Sequence, residues 1–234
     1  LEPLKKGGFV LIIAIDGPAG SGKSTVAKIL AQRLNLFYLD TGALYRALTL
    51  KALRAGVNMH NVEEVVSLFN EFDINLQSNS QGEMRVILNG EDVSREIRSP
   101  EVGQFVSLIS SYPEVRKKML SYQRKLAERG AVAEGRDTTT IVFPHADLKI
   151  FLTAEKGERV KRRLKEWREK GIGGSYSDAL KDIEKRDKLD SEREHAPLRK
   201  SEDAVVIDTT NLDPQSVADK ILTLLKEKGT CSGK

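Results

Sequence analysis

The succession of apolar and polar positions divides the chain into alternating strands and helices. An apolar, largely β-branched run from Phe9 to Ile15 is followed by a glycine-rich turn and then by Val26, Ala27, Ile29 and Leu30 at helical spacing. This predicts a strand, a loop and a helix that ends near Asn35. The short run from Leu36 to Asp40 predicts a second strand, after which Thr41 and Gly42 open a helix carrying Tyr45 and Arg46. Asn61 followed by Glu64 marks another helix start, with Val62, Val65, Val66, Leu68 and Phe69 on its apolar face. The period then falls to two: Ile74 and Leu76 alternate with polar neighbours, as do Val86 and Leu88, and Asn89-Gly90 is a hairpin turn signal. A small antiparallel insert follows from that change.

Helical spacing returns at Pro100 with Val102, Phe105, Val106 and Ile109, breaks at Tyr112-Pro113, and resumes to about Arg129 through Val115, Met119, Tyr122 and Leu126. Ala131 to Asp137 and Leu148 to Leu152 predict further strands. Glu158 to Lys170 is a basic amphipathic helix with Val160, Leu164 and Trp167 on one face, followed by Gly171, Gly173 and Gly174. Ser177 to about Glu194 is again helical, Ala204 to Asp208 gives a last strand, and Pro214 to Lys228 a closing helix. Five strands separated by helices imply an α/β fold: a five-stranded parallel sheet with helices on both faces.

The 234 residues suffice for one such domain with appendages. The domain is expected over 9–230, after a flexible extension at 1–8. Lys5 and Lys6 before the apolar run mimic a secretion signal, but the run is too short and leads straight into the glycine turn, so a buried strand is expected instead. No stretch is long enough to cross a membrane. Cys231 is the one cysteine, so no disulfide can form within the chain and a cytoplasmic setting is expected. The net charge of +4 is compatible with nucleic acid or with clustered arginines around small phosphorylated molecules. Without a nucleic-acid motif, the second reading is preferred.

The glycine turn carries the chemistry. Gly17, Gly22, Lys23 and Ser24 complete the G-x-x-x-x-G-K-[ST] pattern between strand and helix. Backbone N–H groups of such a loop, with the positive end of the next helix, cradle a nucleotide's phosphates. Lys23 is expected to reach the β and γ phosphates and the Ser24 hydroxyl to hold Mg2+. Gly135-Arg136-Asp137 ends a strand at the same sheet edge. Arginines then arrive from four segments: Arg46, Arg136, the basic helix and Arg186. Arg186, Asp190 and Arg193, spaced by four and three, are expected on one helix face. So many cations exceed the needs of nucleotide hydrolysis and suit two phosphorylated molecules held face to face. An acceptor phosphate is already ionised near neutral pH and needs no general base, so the task is positioning and charge stabilisation.

These residues resemble the nucleoside monophosphate kinases, and within them the bacterial cytidylate kinases. The resemblance runs from about Ile12 to the final helix and rests on IDGPAGSGKST, LDTGALYR, the insert ending in GEDVSREIRSPEV, YPEVR, EGRD, VFPHADLKIFL and KRDKLDSEREHAPL. It implies transfer of the ATP γ-phosphoryl group to CMP or dCMP, giving ADP with CDP or dCDP, with Mg2+ as cofactor. Gly17, Pro18, Ala19, Gly20, Ser21, Gly22, Lys23, Ser24 and Thr25 would bind ATP. Arg159, Arg162 and Arg163 would join them from a lid at 157–176, between core segments 9–40, 131–156 and 177–230 and an acceptor-binding region at 41–130. Arg46 and Arg136 would hold the acceptor phosphate. Thr41, Arg116, Asp137 and Arg193 would frame cytosine, and Arg186 and Asp190 would reach the sugar, with Ser107 supporting Asp190. Lys23, Arg136, Arg162 and Arg186 would stabilise the transferred group. The expected partners are small molecules, with no nucleic acid and no membrane, and the expected state is a monomer.

Thr41 stands where serine is usual in that family, Thr138 and Thr139 replace an apolar residue and glycine, and Leu189 and Ser191 replace charges. The alternatives are a kinase of the same architecture acting on UMP, AMP or shikimate, and a nucleotide-dependent switch or motor. The insert and the Arg186 helix oppose the first. The second lacks an apolar strand ending in Asp-Glu and an Asn-Lys-x-Asp motif.

Overall fold

The structure, a computed structural model, describes residues 5–6, 9–78, 84–169 and 171–229 of the chain. Cys231, Lys170 and most of the expected extension at 1–8 lie outside the described residues. Within that extension, β1 (Lys5–Lys6) pairs antiparallel with β2 (Phe9–Val10).

The core begins at β3 (Ile12–Asp16), whose last four residues are all buried. Gly17 then turns the chain with a φ of 152°, and a Cβ there would lie 2.1 Å from the Leu152 carbonyl oxygen. Only glycine fits that approach. Helix α1 (Lys23–Leu34) follows and stops where Asn35 adopts the left-handed conformation, φ 50°. Strand β4 (Phe37–Asp40) leads directly into α2 (Thr41–Ala55), capped by the Asp40 carboxylate, which accepts from Ala43 N at 3.1 Å. The Asn61 side chain caps α3 (Val62–Ser67).

The insert is a three-stranded antiparallel sheet, one strand larger than the two alternating runs predict. Strand β5 (Ile74–Ser78) pairs with β6 (Met84–Leu88), and Asn89-Gly90 turns β6 onto the two-residue β7 (Glu91–Asp92). Both turn residues have positive φ, 49° and 86°, as a tight two-residue hairpin requires. Ser99 caps α4 (Pro100–Ile109), and α5 (Pro113–Leu126) begins at the next proline.

All five residues of β8 (Ala131–Gly135) are buried, so both faces of the sheet are covered there. A wide turn over Thr138–Val142 follows, closed by Val142 N to Asp137 O at 3.2 Å and Phe143 N to Thr138 O at 2.9 Å. The apolar pattern gives no sign of it. Then come β9 (Leu148–Thr153), α6 (Lys156–Glu169), α7 (Tyr176–Glu192), β10 (Val205–Asp208) and α8 (Pro214–Glu227). A capping box between Ser175 and Asp178 starts α7.

The sheet is wholly parallel in the order β10-β9-β3-β8-β4. After β8 the chain crosses β3 to reach β9, so β3 lies at the switch point, where the carboxyl edge opens a crevice. Ile13, Ile15, Leu39, Leu148 and Ile150, all fully buried, centre the main core. Helices α6 and α7 carry a second, small core of Val160, Ala179 and Ile183 that meets the phosphate loop at Ala19.

Candidate active site

A cleft of about 1180 Å³ opens at the carboxyl edge of the sheet. Its walls include Ala19 to Thr25, Thr41, Arg46, Ser107, Arg116, Arg136, Asp137, Arg162, Arg163, Arg186, Asp190 and Arg193. Three of the residues singled out in the sequence, Gly17, Pro18 and Arg159, do not line it.

Lys23 starts α1 and is almost wholly buried. Its ammonium donates to the Pro18 carbonyl at 2.8 Å and to Ser21 Oγ at 3.5 Å. Burial, reinforced by the charge of Arg136, pushes it down to about 7, against the pull of Glu134, Asp190 and Asp16. Glu134 shifts the opposite way. Burial and then Asp40 push its carboxyl up, with Lys23, a Ser24 hydrogen bond and Arg136 acting against them. Tyr38 Oη donates to Glu134 Oε1 at 2.9 Å.

Two groups of charges face the loop. In the first, Arg136 Nε donates to Asp190 Oδ2 at 2.6 Å and Nη1 to its own strand end at Gly135 O, 3.1 Å. Burial raises the Asp190 carboxyl, but Arg136 overrides this and holds it below the usual range. Arg46 has been pushed down to about 10 by burial and by the charge of Arg186, with Arg98 and Arg163 adding to the repulsion. All four of these arginines line the cleft, and their combined positive charge favours an anion there.

In the second group, Arg116 Nη2 donates to Asp137 Oδ2 and Nη1 to Ser110 O at 2.9 Å. Both side chains are under a tenth exposed. The Tyr45 ring stacks beneath Arg116, 5.4 Å from the guanidinium carbon. Arg193 Nη2 is buried, with Asp137 Oδ1 at 3.9 Å and no hydrogen-bond partner among the described residues. Thr41 Oγ1 donates to Glu134 O at 2.8 Å.

Several placements differ from the sequence-based expectations. Arg193 is not on the helix face of Arg186 and Asp190. It is the residue that ends α7, with extended backbone (φ −61°, ψ 139°), and Nε donates to Ala196 O at 2.5 Å. No hydrogen bond joins Ser107 to Asp190 among the described residues; the Asp190 carboxylate is bonded through Oδ2 to Arg136. Arg186 Nε is held by Asp182 Oδ1 at 3.1 Å, and Arg163 Nε takes the other oxygen at 2.9 Å.

The basic helix splits by its 3.6-residue period. Arg159 turns inward, donating to Ala19 O at 3.1 Å and Asp187 Oδ2 at 2.6 Å, and braces the loop from behind. Arg162 reaches the cleft while bound to Glu158 Oε1 at 3.0 Å and to Thr209 Oγ1 at 2.9 Å and O at 2.7 Å. Thr209 Oγ1 has Ser21 O and Thr153 O both 3.1 Å away as acceptors for its one proton.

Asp16, Tyr38, Glu134, Asp182, Asp187, Thr209 and Arg98 were not singled out as site residues in the sequence. For Asp16 and Glu134 a signal exists: a carboxylate inside an otherwise apolar strand needs a buried partner. Thr209 and Asp187 have none, since their partners lie on distant segments.

Comparison with known proteins gives the arrangement a family. The family model described as Cytidylate kinase matches residues 13–227. A cytidylate kinase of Geobacillus sp. (strain WCH70) is 49% identical over 217 residues, covering 92% of this chain and 96% of the relative. That of Bacillus subtilis (strain 168) is 48% identical over 219 residues, with coverages of 93% and 97%. That of Caldanaerobacter subterraneus subsp. tengcongensis is 48% identical over 216 residues, with coverages of 92% and 94%. With the match running from β3 into α8, the chain belongs to the cytidylate kinase family.

Proposed function

We propose that the chain transfers the γ-phosphoryl group of ATP to CMP or dCMP. The observation that carries this reading is the opposition, in one cleft, of a phosphate loop to an arginine cluster and a separate buried Arg116–Asp137–Arg193 group. The loop N–H groups and Lys23 would hold the donor phosphates. Arg46 and Arg136 would hold the acceptor phosphate, and Arg162, Arg163 and Arg186 would close on the transferred group from the lid region at 157–176 and from α7. No side chain need act as general base, because the attacking phosphate oxygen is already ionised.

Cytosine presents an amino donor and two acceptors. Asp137 Oδ1 would accept from the amino group, and Arg116 and Arg193 would donate to the ring nitrogen and carbonyl. Uracil reverses donor and acceptor at two of these atoms, leaving buried groups unpaired, which can reject a wrong substrate by about 10⁴-fold. Asp190 would reach the sugar while neutralising Arg136.

The residues present fit Mg2+ bound with the nucleotide. Ser24 lines the cleft in the first turn of α1, directly after the phosphate loop. Among the described residues no three His, Cys, Asp or Glu side chains form a cage. Mg2+ is commonly held this way, with few protein ligands and the rest from phosphates and water. It would neutralise phosphate charge. No described helix is long and apolar enough to cross a membrane.

Two experiments test the reading. With MgATP, ADP release is expected to be fast for CMP and dCMP and at least about 10²-fold slower for UMP, AMP and shikimate. Turnover indifferent to the acceptor would favour a switch or motor. The second test concerns Lys23. Its folded value of about 7 lies below the ordinary 10.5, so the free protein binds fewer protons than the unfolded chain between those values and gains stability as pH rises across them. Nucleotide phosphates restore the charged form. Binding of ATP without divalent cation at pH 8.5 is therefore expected to take up about one proton, and affinity to fall as pH rises above 7. Calorimetry in two buffers of different ionisation enthalpy measures it, and Lys23→Met should abolish the uptake.

A further inference from the structure

We propose that Asp16 and Thr139 are positioning residues that set the acceptor side of the cleft in register with the phosphate loop. The proposal rests on the kinase reading above. Asp16 is the last residue of β3, directly before Gly17, and is fully buried. Its carboxylate accepts three hydrogen bonds from the turn after β8: Thr138 N at 2.9 Å, Thr139 N at 2.7 Å and Thr139 Oγ1 at 2.6 Å. Burial pushes the carboxyl up from its usual range, with these three bonds acting against the shift.

The geometry makes one side chain the joint between two substrate sites. In the sheet Asp16 sits beside Gly135, the residue before Arg136. Arg136 and Asp137 therefore lie on a short arc pinned at both ends to the same residue: by the β3–β8 pairing at Gly135 and by the carboxylate at Thr138 and Thr139. Gly135 leaves no slack, since a Cβ there would lie 2.4 Å from both Thr138 Oγ1 and Thr41 Oγ1. The first N–H groups of a helical turn have no partners within it, so without Asp16 those of Thr138 and Thr139 would be buried and unsatisfied. Neither Asp16 nor Thr139 lines the cleft. Their effect on the reaction passes through the placement of Arg136 and Asp137 relative to the donor phosphates. Thr139 supplies its own hydroxyl bond in addition to its backbone N–H.

The test compares the parent with Thr139→Val, Thr139→Ser and Asp16→Asn, measuring kcat and KM for CMP and ATP, ATP affinity and melting temperature. Thr139→Val keeps the shape and deletes one bond. It is expected to lower kcat about tenfold with ATP affinity within about twofold, because misplacement of reacting groups by about 1 Å can cost about 10²-fold. Thr139→Ser is expected to retain parental kcat. Asp16→Asn turns an amide N–H toward donors and is expected to lose about 10²-fold in kcat. Should it fail to fold, the Thr139 pair still decides. Parental kcat in Thr139→Val, or equal loss of ATP affinity and turnover, overturns the proposal while the kinase reading stands. A parent inactive with every acceptor overturns the kinase reading, and this inference with it.

Discussion

Arg136→Ala is expected to lower kcat/KM for CMP by about 10³-fold or more, with ATP affinity changed by no more than about threefold. Arg136 emerges where β8 ends. Its Nε is held by Asp190 and its Nη1 by Gly135 O, bonds made away from the phosphate loop that leave Nη2 for the proposed contact with the acceptor phosphate. Removing it would delete the cation proposed to hold the acceptor phosphate and leave Asp190, whose side chain is 19% exposed, without its hydrogen-bonded counter-ion. Breaking such a pair costs about 3–5 kcal/mol. The sign with pH follows from Asp190, which Arg136 holds below 3.8. The pair's contribution is complete above that value and is lost as pH falls through the lower folded value, so the stability gap between parent and variant should close in acid. Arg136→Lys is expected to recover little, since an ammonium cannot hold Asp190 and a phosphate with one planar fork. Parallel loss of ATP affinity would remove Arg136 from the acceptor side.

The second large effect is at Asp137. Asp137→Ala is expected to abolish the preference for CMP over UMP and to destabilise the fold by about 3–5 kcal/mol. That is roughly 10 °C in melting temperature for a chain of this size. The reason is burial: Arg116 and Arg193 both face Asp137, each under a tenth exposed, and without the carboxylate two cations remain together out of water. Stability and recognition can be separated. The double variant Arg116→Met with Asp137→Leu replaces the hydrogen-bonded pair by apolar groups, which is often neutral, but leaves Arg193 without its carboxylate, so it should regain part of the stability and none of the CMP preference. Measuring melting temperature and the CMP-to-UMP ratio on the same preparations decides it. A double variant that still prefers CMP would place base recognition elsewhere in the cleft.

The members of both pairs can be named as site candidates from the sequence, but which residue meets which cannot. Asp137 follows a strand end at the edge where ligands bind, and Asp190 lies four residues from Arg186 on a helix. Neither fact says that Asp137 meets Arg116 from α5 or that Asp190 meets Arg136 from β8. The basic helix makes the same point. Its arginines differ little as a charge run, yet one helical turn separates Arg162, which lines the cleft, from Arg159, buried against Ala19 and Asp187. The face each presents depends on where α6 meets the loop. Arg193 was misplaced for a related reason: spacing predicts a shared face only while the helix continues, and α7 ends at Glu192.

Local interactions explain what could be read directly. Strands, helices and caps arise from residues a few positions apart, so the period of the apolar pattern, the N-cap residue Asn61 and the turn at Asn89-Gly90 are written in order along the chain. The phosphate loop belongs here too, because its backbone geometry needs only Gly17, Gly22, Lys23 and Ser24 between a strand and a helix. Tertiary structure alone decided the third insert strand's pairing, the wide turn at Thr138–Val142, the Asp16 joint and the direction in which the Lys23 and Glu134 pKa values move. Each depends on segments many residues apart meeting in a space that excludes water. There a hydrogen bond or a missing counter-ion acts more strongly than on the surface.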